Sequence, residues 1–202
     1  MDVLAECRYR PISLGDLATW LAGGTELPDR PVVITFDDGF ADFAAQAAPV
    51  LLARGWSATV FLPTGRMGGP EDWAGANTDP PRPLMNWEQV KTLAGEGFEF
   101  GGHSVTHPNL TDLSPADLER EVRQSREEIR ERLGRQPASF APPYGASNPL
   151  VRREIAKWYG ISVGTRLQRA APDSDRYDVP RIEMHYFRNL RRWRAYLEGR
   201  AE

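Results

Sequence analysis

Two short stretches carry the residues most able to do chemistry. In 32–39, an apolar run ends in two adjacent carboxylates and a glycine, Asp37-Asp38-Gly39. In 98–108, a second apolar run leads through Gly101-Gly102 into His103-Ser104-Val105-Thr106-His107-Pro108. Adjacent strand residues point to opposite faces, so both acids can serve one site only if the strand ends and turns at Gly39. Pro108 disfavours helix at His107, so the histidine pair belongs to a turn after a strand. The two glycines would let the backbone approach a ligand. Taken together, Asp, His and His form a common ligand set for zinc or another first-row divalent ion with open positions. The plain alternatives are a solvated turn in which Asp38 caps the next helix, and a chance spacing of two histidines.

The elements that must hold these groups alternate. Runs 32–36, 58–62, 98–100, 161–165 and 181–185 are predicted strands, and 139–141 is a weaker one. Helices are expected over about 42–54, from Asn86 to Gly95, from Ser114-Pro115 to Gly134, and from Asn148-Pro149 to Gly160. Strand followed by helix, repeated, predicts an α/β fold with a parallel sheet, open or closed into a short barrel. In such folds ligands gather at the carboxyl ends of the strands. Segment 65–83, rich in Gly, Pro, Asp and Asn, is expected to be a long functional loop.

Composition narrows the partners. The chain has 202 residues and a net charge of −3, so no basic surplus exists to bind a nucleic-acid backbone. One cysteine, Cys7, excludes an internal disulfide and a cysteine-rich zinc cluster. No run approaches the roughly 18 apolar residues of a membrane span. The N-terminus has no hydrophobic secretion signal, which points to the cytoplasm unless the chain is a piece of a longer one. Oligomeric state is not readable from the sequence. Trp73, in the long loop, is the tryptophan best placed to line a substrate groove, whereas Trp56 reads as core. The basic stretch 188–202, with Trp193 and Tyr196, reads as an amphipathic closing helix.

Thr35-Phe36-Asp37-Asp38-Gly39 followed by His103-Ser104-Val105-Thr106-His107 resembles the polysaccharide deacetylase family, the nodulation-deacetylase homology domain of carbohydrate esterase family 4. The likeness spans about 31–185, and Tyr9–Leu14 resembles the segment that often precedes this domain. It implies one domain: a lead-in over 1–30, a core over 31–187 and a closing helix over 188–202. The fold it implies is a distorted, incomplete (β/α) barrel. Its function would be metal-dependent removal of acetyl groups from N-acetylated, or O-acetylated, poly- or oligosaccharide.

By this resemblance Asp38, His103 and His107 hold one divalent metal, zinc first among the choices, and Asp37 is the general base. Where the family has Arg-Pro-Pro-Tyr-Gly, this chain reads Ala141-Pro142-Pro143-Tyr144-Gly145. Tyr144 keeps the backbone N–H expected to serve the oxyanion, but Ala141 removes the arginine expected beside the base. Arg166, directly after a predicted strand, is the first choice to replace it, with Arg181 in reserve. An ordinary surface arginine is the plain alternative for each. Ile182-Glu183-Met184-His185 matches the family's last motif and makes His185 the expected general acid, against a half-exposed strand histidine. The family's fourth motif, an acidic residue with a tryptophan, has no counterpart. Two other classes remain open at this stage: a non-catalytic glycan-binding domain, and a metal-dependent amidohydrolase of small molecules.

Overall fold

The computed structural model describes residues 1–76 and 78–200. Asn77 of the long loop and the last two residues of the expected closing helix lie outside them. Helix α1 (Asp2–Glu6) precedes a small parallel sheet of β1 (Arg10–Pro11) and β2 (Pro31–Val32), with α2 (Leu14–Leu21) between the two strands. The main sheet has β3 (Thr35–Phe36), β4 (Thr59–Leu62), β5 (Glu99–Gly102), β6 (Ser139–Phe140), β7 (Ile161–Leu167) and β8 (Val179–Arg181). Its strands lie in sequence order and every neighbouring pair is parallel. The sheet curls into a half-barrel, as the expected incomplete (β/α) barrel requires. The predicted strand 32–36 is in fact two strands in two sheets.

Helix ends follow their caps. Asn86 and Gln89 exchange hydrogen bonds of 2.9 Å at the start of α4 (Trp87–Gly95). Ser114 caps α5 (Pro115–Leu133), which stops at Gly134 with φ 70°. Asn148 accepts from the Leu150 and Val151 amides and starts α6 (Pro149–Trp158). The expected helix over 42–54 is less regular: Phe43–Ala47 is a π-turn, and only Ala48–Leu52 (α3) is α-helical. Pro49 has no N–H to offer the ladder, and the Ala48 amide reaches back to the Phe43 carbonyl. Chain end 188–200 forms α7 (Leu190–Leu197), whose Trp193 and Leu197 are buried against Val3 and Leu4 of α1.

Burial of both sheet faces fixes the curl. All four β4 residues are buried, as in a central parallel strand. Val60 and Leu62 pack with Leu51, Val90 and Leu93 on the outer side. Phe61 points the other way, among Ile161, Val163, Val179 and the α2 residues Leu14 and Leu17. Gly101 and Gly102 serve this packing rather than a ligand. A side chain at Gly101 would meet the Phe61 ring, and one at Gly102 would meet Tyr159 and Phe140.

One strand boundary differs from the sequence expectation, and it matters for the site. Strand β8 ends at Arg181, and Met184–Phe187 forms a 3-10 turn, so 181–185 is not a strand. Pro180 sits within β8, which its place at the sheet edge permits.

Candidate active site

Asp37 and Asp38 follow β3 directly, and Gly39 turns the chain with φ 67°. Asp38 itself is left-handed, at φ 69°, which frees its carboxylate from strand alternation. Beyond β5, Ser104 and His107 also have positive φ, 65° and 64°, and beyond β6 so does Tyr144, at 60°. Four of the six positive-φ residues other than glycine, among the described residues, thus cluster at the carboxyl ends of three strands. Such strain persists only where surrounding contacts over-determine it.

The three ligand candidates converge. His103 Nε2 and His107 Nε2 each lie 3.2 Å from Asp38 Oδ1, and one ligand atom from each residue falls within 4.8 Å of the others. Both histidines are buried. His103 Nδ1 is 2.6 Å from the Ala141 carbonyl, which can only accept, so Nδ1 carries the proton and Nε2 presents a lone pair. A lone pair facing a carboxylate oxygen is unfavourable unless a cation or an extra proton lies between them. His107 Nδ1 is buried with no partner among the described residues, so its tautomer is set by whatever its Nε2 meets. The donor set therefore fits a divalent ion on its own chemistry.

Electrostatics follow from these contacts. Burial pushes the Asp38 carboxyl up, but where the two imidazoles against it carry the extra proton, their hydrogen bonds and charge hold it well below the usual carboxylate range. Burial lowers the His107 pKa, against the pull of Asp38.

Asp37 has a cation beside it, and it is Arg181. The guanidinium donates to both carboxylate oxygens at 2.7 Å, to the Thr35 hydroxyl at 3.2 Å and to the Gly164 carbonyl at 2.8 Å. Burial pushes Asp37 up, but the charge and hydrogen bonds of Arg181 hold it below its ordinary value. Arg166, the expected partner, lies within β7 with an exposed side chain, because that strand runs on to Leu167. Arg181 would begin the predicted strand 181–185; it ends β8 instead, on the rim with Asp37. Ala141 is fully buried in the cluster that contains Phe61, over whose ring the Arg181 guanidinium lies at 5.9 Å.

Tyr144 is half-exposed at the site. Its ring is 4.8 Å from that of His107, and its hydroxyl donates to the Ala74 carbonyl at 2.8 Å. Turn bonds in its segment run from the Gly145 and Ala146 amides, and the Tyr144 amide makes none among the described residues. His185, expected as the general acid, has a different hydrogen-bond partner. It is exposed on the 3-10 turn, with Nδ1 3.1 Å from Arg188. Among the described residues, no hydrogen bond or ion pair links it to Asp37, Asp38, His103 or His107.

The long loop closes one wall. Trp73 stacks on the His107 ring at 4.2 Å, so it covers a ligand candidate. Glu71 anchors that wall from beneath: it is buried and accepts from the Arg82 guanidinium, the Arg82 amide and the Thr78 hydroxyl. Sequence reasoning did not single out Glu71 or Arg82. Their placement in a loop rich in Gly and Pro gave no periodic signal. No helix among the described residues is long and apolar enough to cross a membrane.

Comparison with known proteins places the chain by sequence and by fold. YxkH of Bacillus subtilis is 24% identical over 98% of this chain and 67% of its own length. The poly-beta-1,6-N-acetyl-D-glucosamine N-deacetylase of Escherichia coli K12 is 26% identical over 89% of this chain, which spans 31% of that enzyme. The solved structure of IcaB from Ammonifex degensii superposes with a TM-score of 0.81, at 22% identity, over 99% of this chain and 86% of that one, and shares the fold. The family model for polysaccharide deacetylase matches residues 24–164, which contain Asp37, Asp38, His103, His107 and Tyr144. This chain belongs to the polysaccharide deacetylase family.

Proposed function

We propose that this chain is a metal-dependent hydrolase that removes acetyl groups from an N-acetylated poly- or oligosaccharide, with zinc as its metal. The observation that carries the reading is a base and a ligand set side by side: Asp37 clamped by Arg181, next to Asp38, His103 and His107 on one rim. Asp38, His103 and His107 would hold the ion, which when bound supplies Lewis acidity toward an acetyl carbonyl and a nearby water.

The chain's own groups do the rest. Asp37 takes a proton from the water as its oxygen bonds to the acetyl carbon. The Tyr144 N–H, free of turn bonds among the described residues, is available to the oxyanion. As the carbon–nitrogen bond breaks, the nitrogen needs a proton, because an unprotonated amine is a poor leaving group. Asp37, now protonated, returns that proton to the nitrogen; His185 is exposed and its hydrogen-bond partner is Arg188. Acetate and a free amino sugar leave.

The Escherichia coli relative named above acts on a polymer of N-acetylglucosamine, and that substrate class is the first to test. Arg181 supplies the charge that Ala141 lacks, which answers one of the two arguments for a glycan-binding domain without catalysis, the missing fourth motif being the other. Acetate release should be measured from N-acetylglucosamine oligomers, the monomer and an O-acetylated sugar in parallel. Release from the oligomers above all supports the reading. Release from the monomer alone would favour a small-molecule amidohydrolase.

A further inference from the structure

Glu121 on α5 is buried, 3% exposed, and plays no part in the chemistry above. Among the described residues it has no ion pair. A buried carboxylate in that position must be satisfied by hydrogen bonds. Its Oε2 accepts the Val105 amide at 2.8 Å and the Thr106 amide at 2.9 Å, and its Oε1 accepts the Thr106 hydroxyl at 2.9 Å. Every one of these donors belongs to the two residues that separate Ser104 from His107.

That turn is where the strain lies. Ser104 and His107 are both left-handed, at φ 65° and 64°, with the Ser104 hydroxyl accepting the His107 amide at 3.0 Å. Neither residue favours this conformation, so something outside the turn must hold it. The Thr64 amide donates to the Ser104 carbonyl and the Gly65 amide to the Val105 carbonyl, which fixes the acceptor side. Glu121 fixes the donor side. An apolar residue there could pack as well, but it would leave the buried Val105 amide without an acceptor.

We infer that Glu121 is a positioning residue of the metal site: it holds the turn at residues 104–107 so that the His107 imidazole meets Asp38 and His103. The inference rests on the metal reading under Proposed function. Removal of an outer partner of this kind weakens metal binding about 10- to 100-fold in other sites.

The full-length protein is stripped of metal and titrated with Co²⁺, with hydrogen exchange of the metal-free protein measured alongside. Glu121→Leu should weaken the Co²⁺ Kd about 10-fold or more. It should also speed exchange of the Val105 and Thr106 amides relative to those of Val60 and Leu62. Glu121→Gln keeps one oxygen for both amides and an NH₂ for the Thr106 hydroxyl, so it should stay within a few-fold of wild type. Wild-type Co²⁺ affinity in Glu121→Leu overturns the inference, as does a loss in Glu121→Gln equal to that in Glu121→Leu. If Glu121→Leu does not fold, Thr106→Val decides: a severalfold weaker Kd supports the inference, and an unchanged Kd overturns it. If wild type itself binds no Co²⁺, the metal reading fails. Exchange at Val105 and Thr106 then still decides whether Glu121 holds the turn.

Discussion

Arg181 grips both oxygens of Asp37 at 2.7 Å across 144 residues of sequence, through two parallel hydrogen bonds. A bidentate pair of this kind fixes orientation as well as charge. It joins the first strand of the main sheet to the last, so the proposed base is oriented by the curl of the whole sheet and not by a local motif.

Arg181→Ala should therefore lower turnover on the order of 100-fold while metal content stays near wild type. Asp37 is held below its ordinary value, so in wild type the carboxylate persists well into acid. Without the cation its pKa rises, and the acid limb of the pH–rate profile moves upward. The pair also contributes stability above the unfolded-state pKa, which is lost as pH falls through the lower folded value. Arg166→Ala, on an exposed part of β7, should change neither rate nor profile. A pH–rate series on both variants checks this.

Metal binding should follow the three converging residues. His103→Ala and His107→Ala should each lose bound zinc or Co²⁺, and Asp38→Asn should weaken binding. Metal analysis after dialysis is the measurement. Wild-type content in both histidine variants would remove the site.

Gly102→Ala should destabilise the fold and misplace His103 together. An added methyl meets the Tyr159 hydroxyl and the Phe140 ring, both buried. Overpacking of this kind costs about 1–3 kcal/mol. Chemical denaturation should give a lower midpoint with the slope unchanged. Gly95→Ala is the control, since a methyl there meets nothing within 4 Å.

His185→Ala should lower turnover less than threefold, about 0.6 kcal/mol on the barrier. His185 is exposed and its contact is Arg188. A loss of 100-fold or more, with metal retained, would instead make it the general acid.

How far the sequence could be read depended on which signals were local. Asp38, His103 and His107 stood out because a strand end followed by a glycine or a turn leaves a local pattern, and the fold brings those ends together. The helices from Asn86, Ser114 and Asn148 were legible for the same reason, since each carries its cap. Arg181 was not, because its role depends on where β8 stops. The alternation in Ile182-Glu183-Met184-His185 suggested a strand, whereas the edge strand carries Pro180 inside it and ends before that alternation begins. Glu121 was hidden among the charges of a long polar helix, and only the contacts of α5 with the histidine turn reveal it.

The central claim is that Asp37 moves the proton beside a metal held by Asp38, His103 and His107. Acetate release from N-acetylglucosamine oligomers, by wild type and Asp37→Asn loaded with equal zinc, tests it most directly. The account predicts release by wild type and a fall of about 1,000-fold or more in the variant, with its zinc content unchanged. Turnover at the wild-type rate by zinc-loaded Asp37→Asn would contradict it.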